Sequence, residues 1–158
     1  MIERKAAQIL SVYWDGKLPV DVHAIASRMG IDVRCGAIDE SGRIEVREGR
    51  PCITVNCDEA RVRQRFTVAH ELGHWSLGHL QHGQRLFRDA PDSFTLAAGG
   101  QEREANAFAA AILMPADALR YVMQNGVADS LESLARLFEV SRAAMHWRVQ
   151  NLGLFANL

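Results

Sequence analysis

Apolar residues recur over the first dozen positions at the spacing of a helix face. Ile2, Ala6, Ile9, Leu10 and Tyr13 fall on one side, so residues 2 to about 13 are expected to form an amphipathic helix broken by Asp15-Gly16. Val20 to Met29 read as a second helix stopped by Gly30. The period then shortens. Ile31 to Cys35 read as a short strand, and Arg43 to Glu48 with Cys52 to Asn56 read as a hairpin joined through Glu48-Gly49-Arg50-Pro51. Pro51 suits the start of an edge strand, and either hairpin strand, as an edge, would offer unpaired backbone groups to an extended peptide. Helical spacing returns after Asn56 and Asp58, either of which can cap a helix running to about His79. Further helices are expected around 101–113, 116–124, 130–138 and 141–151. The sum is an α+β fold, mainly helical, with a small three-stranded sheet.

Candidate chemistry enters with the helix after Asp58. It carries His70-Glu71-Leu72-Gly73-His74, an H-E-x-x-H sequence. Residues four apart share a helix face, so both imidazoles can reach one metal ion, while Glu71 projects beside them as a base. Random placement of the chain's 6 His among its glutamates produces such a match in roughly 1% of chains of this length, so context has to carry part of the weight. A second acidic helix, Gln101 to Met114, supplies that context. Zinc in a hydrolase usually takes three protein ligands and leaves a fourth position for water. Glu102 is the preferred third ligand over Glu104, because Glu102, Asn106 and Ala109 form one helical stripe. Asn106 is then placed to hydrogen-bond a ligand imidazole and fix its tautomer.

Other metal arrangements fit less well. The longer H-E-x-x-H-x-x-G-x-x-H pattern needs Gly at 77 and His at 80, where this chain has Leu77 and Leu80, and His79 is one residue out of register. Cys35, Cys52 and Cys57 form no C-x-x-C pair and are expected to be small buried thiols in a reducing compartment. Two histidines and a carboxylate would also accept Mn²⁺ or Fe²⁺.

Two blocks together carry a family resemblance. Arg65-Phe66-Thr67-Val68-Ala69-His70-Glu71-Leu72-Gly73-His74, followed by Glu102-Arg103-Glu104-Ala105-Asn106-Ala107-Phe108-Ala109 and Ile112-Leu113-Met114-Pro115, resembles the ImmA/IrrE family of metallo-endopeptidases. Weaker similarity runs from Leu18-Pro19-Val20-Asp21 to Leu152-Gly153-Leu154. The resemblance implies a zincin-like, gluzincin-like fold, one Zn²⁺ per chain held by His70, His74 and Glu102, and Glu71 as catalytic base. It also implies a protein substrate, a helix-turn-helix repressor of mobile-element or stress genes. One departure concerns His79: many relatives place a histidine one residue sooner after the motif.

Composition changes the picture little. With 158 residues, 48% hydrophobic and 23% charged, one domain with a proper core is expected over 1–158: a catalytic part, 1–125, and C-terminal helix-turn-helix-like helices, 126–158, packed on it. A formal net charge of −1 argues against nucleic acid as a direct ligand. No apolar run reaches the ~18 residues of a membrane span, and Met1-Ile2-Glu3-Arg4-Lys5 opens a helix, not a signal peptide, so a cytoplasmic protein is expected. Residues 81–100 form a long connection between the two candidate ligand helices and are expected to act as a lid or rim. Leu131, Leu134, Ala135, Phe138, Ala144 and Trp147 fit two helices docked on the core; Arg136, Arg142 and Arg148 would have to face outward for those helices to meet DNA. His23, His82 and His146 carry no spacing signal. The alternative function is a non-proteolytic module, as in a toxin–antitoxin pair, that keeps a zinc site and sequesters a repressor or binds DNA.

Overall fold

The structure, a computed structural model, describes residues 1–80, the backbone of 86–88, and 99–158. Seven helices appear among these residues: α1 Ile2–Tyr13, α2 Val22–Arg28, α3 Arg61–Ser76, α4 Gly100–Leu113, α5 Ala116–Gln124, α6 Leu131–Phe138 and α7 Arg142–Asn151. Four strands accompany them: β1 Asp32–Gly36, β2 Gly42–Arg47, β3 Arg50–Asn56 and the short β4 Leu86–Arg88. The fold is α+β, as the periodicities predict, and β4 adds a strand within the stretch expected to be a plain connection. The rest of that connection, 81–85 and 89–98, lies outside the described residues, and with it the lid reading and His82.

The sheet order is β1-β3-β2-β4. β1 runs parallel to β3, pairing Asp32 with Cys52 through Gly36 with Asn56. β2 and β3 form the antiparallel hairpin, Ile44 opposite Ile53, and β4 pairs with the outer side of β2. β3 is therefore interior and not an edge, whereas β4 covers β2 only from Gly42 to Ile44, and residues 45–47 have no strand on their outer side among the described residues. Glu48 and Gly49 turn the hairpin with φ of 51° and 78°, the two-residue geometry that matches strand twist. Pro51 is consequently the second residue of an inner strand. Pairing with β1 begins one residue later, at Cys52, so no ladder bond to β1 is asked of the proline nitrogen.

The apolar stripes predicted from the sequence form the core. Phe108, Ile112 and Leu113 of α4, Leu72 of α3, Ile44 and Ile53 of the sheet and Ile25 of α2 are all fully buried. Leu134, Phe138, Met145 and Val149 of the last two helices belong to the same cluster. α1 packs on α4, α2 on α3, and the hairpin against α3. The approach of β2 to α3 depends on Gly42, where a Cβ would stand 2.3 Å from the Thr67 methyl group.

Two local expectations are corrected, and the packing of the last two helices on the core is seen directly. Neither Asn56 nor Asp58 caps α3: the N-cap is Ala60, and the Asn56 side chain instead accepts the Asp58 N–H at 2.9 Å and donates to the Ile38 carbonyl at 2.9 Å. Asn56 still belongs to β3, and its amide closes the strand-to-helix turn. Cys35 and Cys57 are not buried thiols; both are exposed and disulfide-linked with Cα atoms 5.3 Å apart, leaving Cys52 free and buried. The parallel register of β1 and β3 brings them together, a pairing invisible to a spacing rule. Arg148 does not face outward. It is buried, donating to the Met114 carbonyl at 2.9 Å and to the Glu3 carboxylate. Arg142 pairs with Glu132 at 2.6 Å. No helix among the described residues is long and apolar enough to cross a membrane.

Candidate metal centre

α3 and α4 cross in close contact, and the crossing builds the site. Gly73 makes the approach possible. A Cβ there would lie 3.1 Å from Phe108 Cδ1 and 3.2 Å from the Ala105 backbone. The helix turn on either side of Gly73 presents His70 and His74 toward the first turn of α4. Glu102 occupies that turn, where a carboxylate also suits the positive end of the helix.

The three side chains converge as the sequence spacing predicts. His70 Nε2 lies 3.0 Å from one oxygen of Glu102, and His74 Nε2 lies 2.9 Å from the other. The two Nε2 atoms are 3.1 Å apart. Both imidazoles are buried, while the Glu102 side chain keeps 34% exposure and so borders solvent. Among the described residues this is the group of histidine and carboxylate atoms close enough to hold one metal ion. Donors about 3 Å apart resemble one face of a tetrahedron on ~2.0–2.1 Å bonds, whose edges are ~3.3 Å, so zinc fits the triad.

Donor chemistry supports the same fit. Asn106 Oδ1 stands 2.7 Å from His70 Nδ1, and a carbonyl oxygen only accepts, so His70 donates through Nδ1–H. With that proton on Nδ1, a neutral His70 turns an Nε2 lone pair toward Glu102. Two acceptors at such a distance repel unless a cation lies between them. Asn106 thus stands where the stripe argument places it, one helical turn after Glu102.

Glu71 is fully buried on α3 between the two histidines in sequence.

Two further residues join the site. His79 is buried, with its Nδ1 3.0 Å from His74 Nδ1, and its Nε2 lies 3.1 Å from a Glu104 oxygen. Glu104, which the stripe argument directs away from the site, meets His79 because the chain doubles back after α3. The signal that could have found His79 is Gly78, a helix-stopping glycine directly before it.

His23 stands elsewhere. It lines a cavity of about 380 Å³ with Asp21, Arg61, Arg65 and Glu139, and burial pushes its pKa down. Arg65 and Glu139 in that cavity are paired with each other. His146 stacks edge-on with Trp147 and Phe155 near the C-terminus.

Comparison with known proteins agrees with this geometry. The family model Peptidase_M78, described as the IrrE N-terminal-like domain, matches residues 26–150, a span that includes α3, α4 and every residue of the site. No curated protein matches the chain.

Proposed function

Because this chain belongs to the Peptidase_M78, IrrE N-terminal-like family, we propose that it is a zinc-dependent endopeptidase that cleaves a helix-turn-helix repressor. The observation that carries the reading is the convergence of His70 Nε2, His74 Nε2 and the Glu102 carboxylate beside a buried Glu71. Zinc, when bound, supplies a Lewis acid that activates water near neutral pH and polarises a peptide carbonyl.

The protein's own residues supply the rest. His70 and His74 present imidazole nitrogens, and Glu102 presents a carboxylate from the opposite helix. Asn106 holds the His70 ring by its Nδ1–H. Glu71 is one residue from His70 on the same helix and is the base: it takes the proton from the attacking water and returns it to the departing amine. Burial of Glu71 keeps bulk water from competing for that proton.

A repressor substrate follows from the family resemblance, and the modest net charge of −1 is consistent with a protein partner over nucleic acid. The test is cleavage of a candidate helix-turn-helix repressor, such as one found in a neighbouring gene, using wild type and Glu71→Gln with bound metal quantified in both. Glu71→Gln is expected to keep zinc and to lower turnover by about 10²-fold or more. Full activity of that variant would remove Glu71 from the base role. Zinc in both proteins with cleavage by neither would leave two readings, a peptidase that needs an activator and the sequestering module.

A further inference from the structure

The end of α3 has a specific form. The Gly78 N–H bonds the Trp75 carbonyl at 3.2 Å, the His79 N–H bonds the His74 carbonyl at 2.9 Å, and Gly78 takes a φ of 74°. This is the Schellman pattern, in which the second residue past the cap folds back over the residue five positions earlier. Usually that contact is apolar. Here it is His79 against His74, the rings 5.2 Å apart.

We propose that His79 and Glu104 are positioning residues for the metal centre. Together they hold His74 in the tautomer whose Nε2 lone pair faces His70 and Glu102. The direction of the hydrogen bonds follows from Glu104. A carboxylate only accepts, so His79 donates Nε2–H to it across 3.1 Å. Neutral His79 then has an acceptor lone pair on Nδ1, and His74 donates its Nδ1–H across 3.0 Å. The proton of His74 is thereby committed to Nδ1, and its Nε2 is left as a ligand atom. The reverse direction would turn a His79 lone pair toward the carboxylate. Each ligand histidine thus has its own orienting partner: Asn106 acts directly on His70, and Glu104 acts on His74 through His79. Outer partners of this type typically change metal affinity 10- to 100-fold.

The position of His79 follows from the same geometry. The turn at Gly78 delivers a side chain to the back of His74 only at the second residue past the cap. A histidine at 78 would need a left-handed backbone that a side chain rarely adopts.

This inference rests on the zinc reading, and the test separates the two. Zinc affinity of the full-length protein is measured by chelator competition for wild type, His79→Ala, Glu104→Ala and Glu104→Gln. The ring tautomers of metal-free wild type are read by nitrogen NMR above the ordinary histidine range (~6.5). Glu104 is partly exposed, so its variants report even if His79→Ala does not fold. Wild-type His74 is expected to carry its proton on Nδ1. His79→Ala and Glu104→Ala are expected to bind zinc about 10- to 100-fold more weakly. Glu104→Gln keeps an acceptor oxygen and is expected to recover most of that loss. The Co²⁺-substituted visible spectrum should shift in the alanine variants, which a general loss of stability would not cause. His74 protonated on Nε2 in wild type, or unchanged affinity in the alanine variants, would overturn the proposal. Failure of wild type to bind zinc would instead remove the peptidase reading, and the tautomer measurement would still decide the roles of His79 and Glu104.

Discussion

A single methyl group tests how tightly the centre is built. On Gly73 it would meet Phe108 Cδ1 at 3.1 Å and the Ala105 backbone at 3.2 Å. The Phe108 ring is fully buried and the second neighbour is main chain, so neither yields easily. Gly73→Ala is expected to cost about 1–3 kcal/mol of stability, measured by urea unfolding. It should also weaken zinc binding, because the displaced helix carries Glu102. Wild-type stability would mean that the crossing has slack. His70 with His74, and Glu102 with Asn106, were readable because each pair lies at a helical interval, and Glu71 was readable from its place inside the H-E-x-x-H motif. His79 and Glu104 were not, because their link runs between helices. Helical spacing alone separates Glu104 from Glu102 by roughly 200° around α4, and only the turn after α3 brings a partner to that side.

Among the elements, α6 shows how the last helices are tied to α3. Its C-cap, Glu139, has a φ of 49°, which a non-glycine residue adopts only when held. Arg65 of α3 holds it. The buried guanidinium donates to the Glu139 carbonyl at 3.2 Å and to the Phe138 carbonyl at 3.3 Å, and sits 3.5 Å from the Glu139 carboxylate. One arginine satisfies two carbonyls that the helix end leaves open and offsets the charge beside them. Arg65→Ala is expected to destabilise the protein by about 2–4 kcal/mol in chemical denaturation, since it removes hydrogen bonds to a charged donor and strands buried acceptors. A loss below ~1 kcal/mol would show that water replaces the guanidinium. α6 and α7 do have a helix-turn-helix outline: Ser130 caps the first through a capping box, and Ser141 caps the second. Each serine directly precedes an amphipathic helical segment, the position a cap takes. The start of α3 was misread for an equally local reason. Asn56 and Asp58 have the right chemistry for a cap, but the strand carries on through Asn56 and the helix begins two residues beyond Glu59.

Across the molecule, the centre joins elements far apart in the chain. His70 and His74 come from one side of residues 81–98 and Glu102 from the other, so a bound ion would cross-link α3 to α4. Added zinc is therefore expected to raise the melting temperature, increasingly with its concentration, as for any ligand that binds the folded state. Glu102→Ala should abolish that shift while leaving the metal-free melting temperature little changed, because Glu102 is partly exposed. A shift retained by Glu102→Ala would mean that the ion binds elsewhere. Periodicity was enough to set the seven helices, the hairpin and the two faces that carry the candidate ligands His70, His74 and Glu102, because each depends on side chains at short, regular intervals, and the family followed from two local blocks. Order in the sheet, the junction of Cys35 with Cys57, the inward turn of Arg148 and the link from His79 to Glu104 depend on contacts between segments many residues apart. Nothing local encodes them. They arise when packing the apolar faces sets which strand lies beside which and which polar group meets which carbonyl.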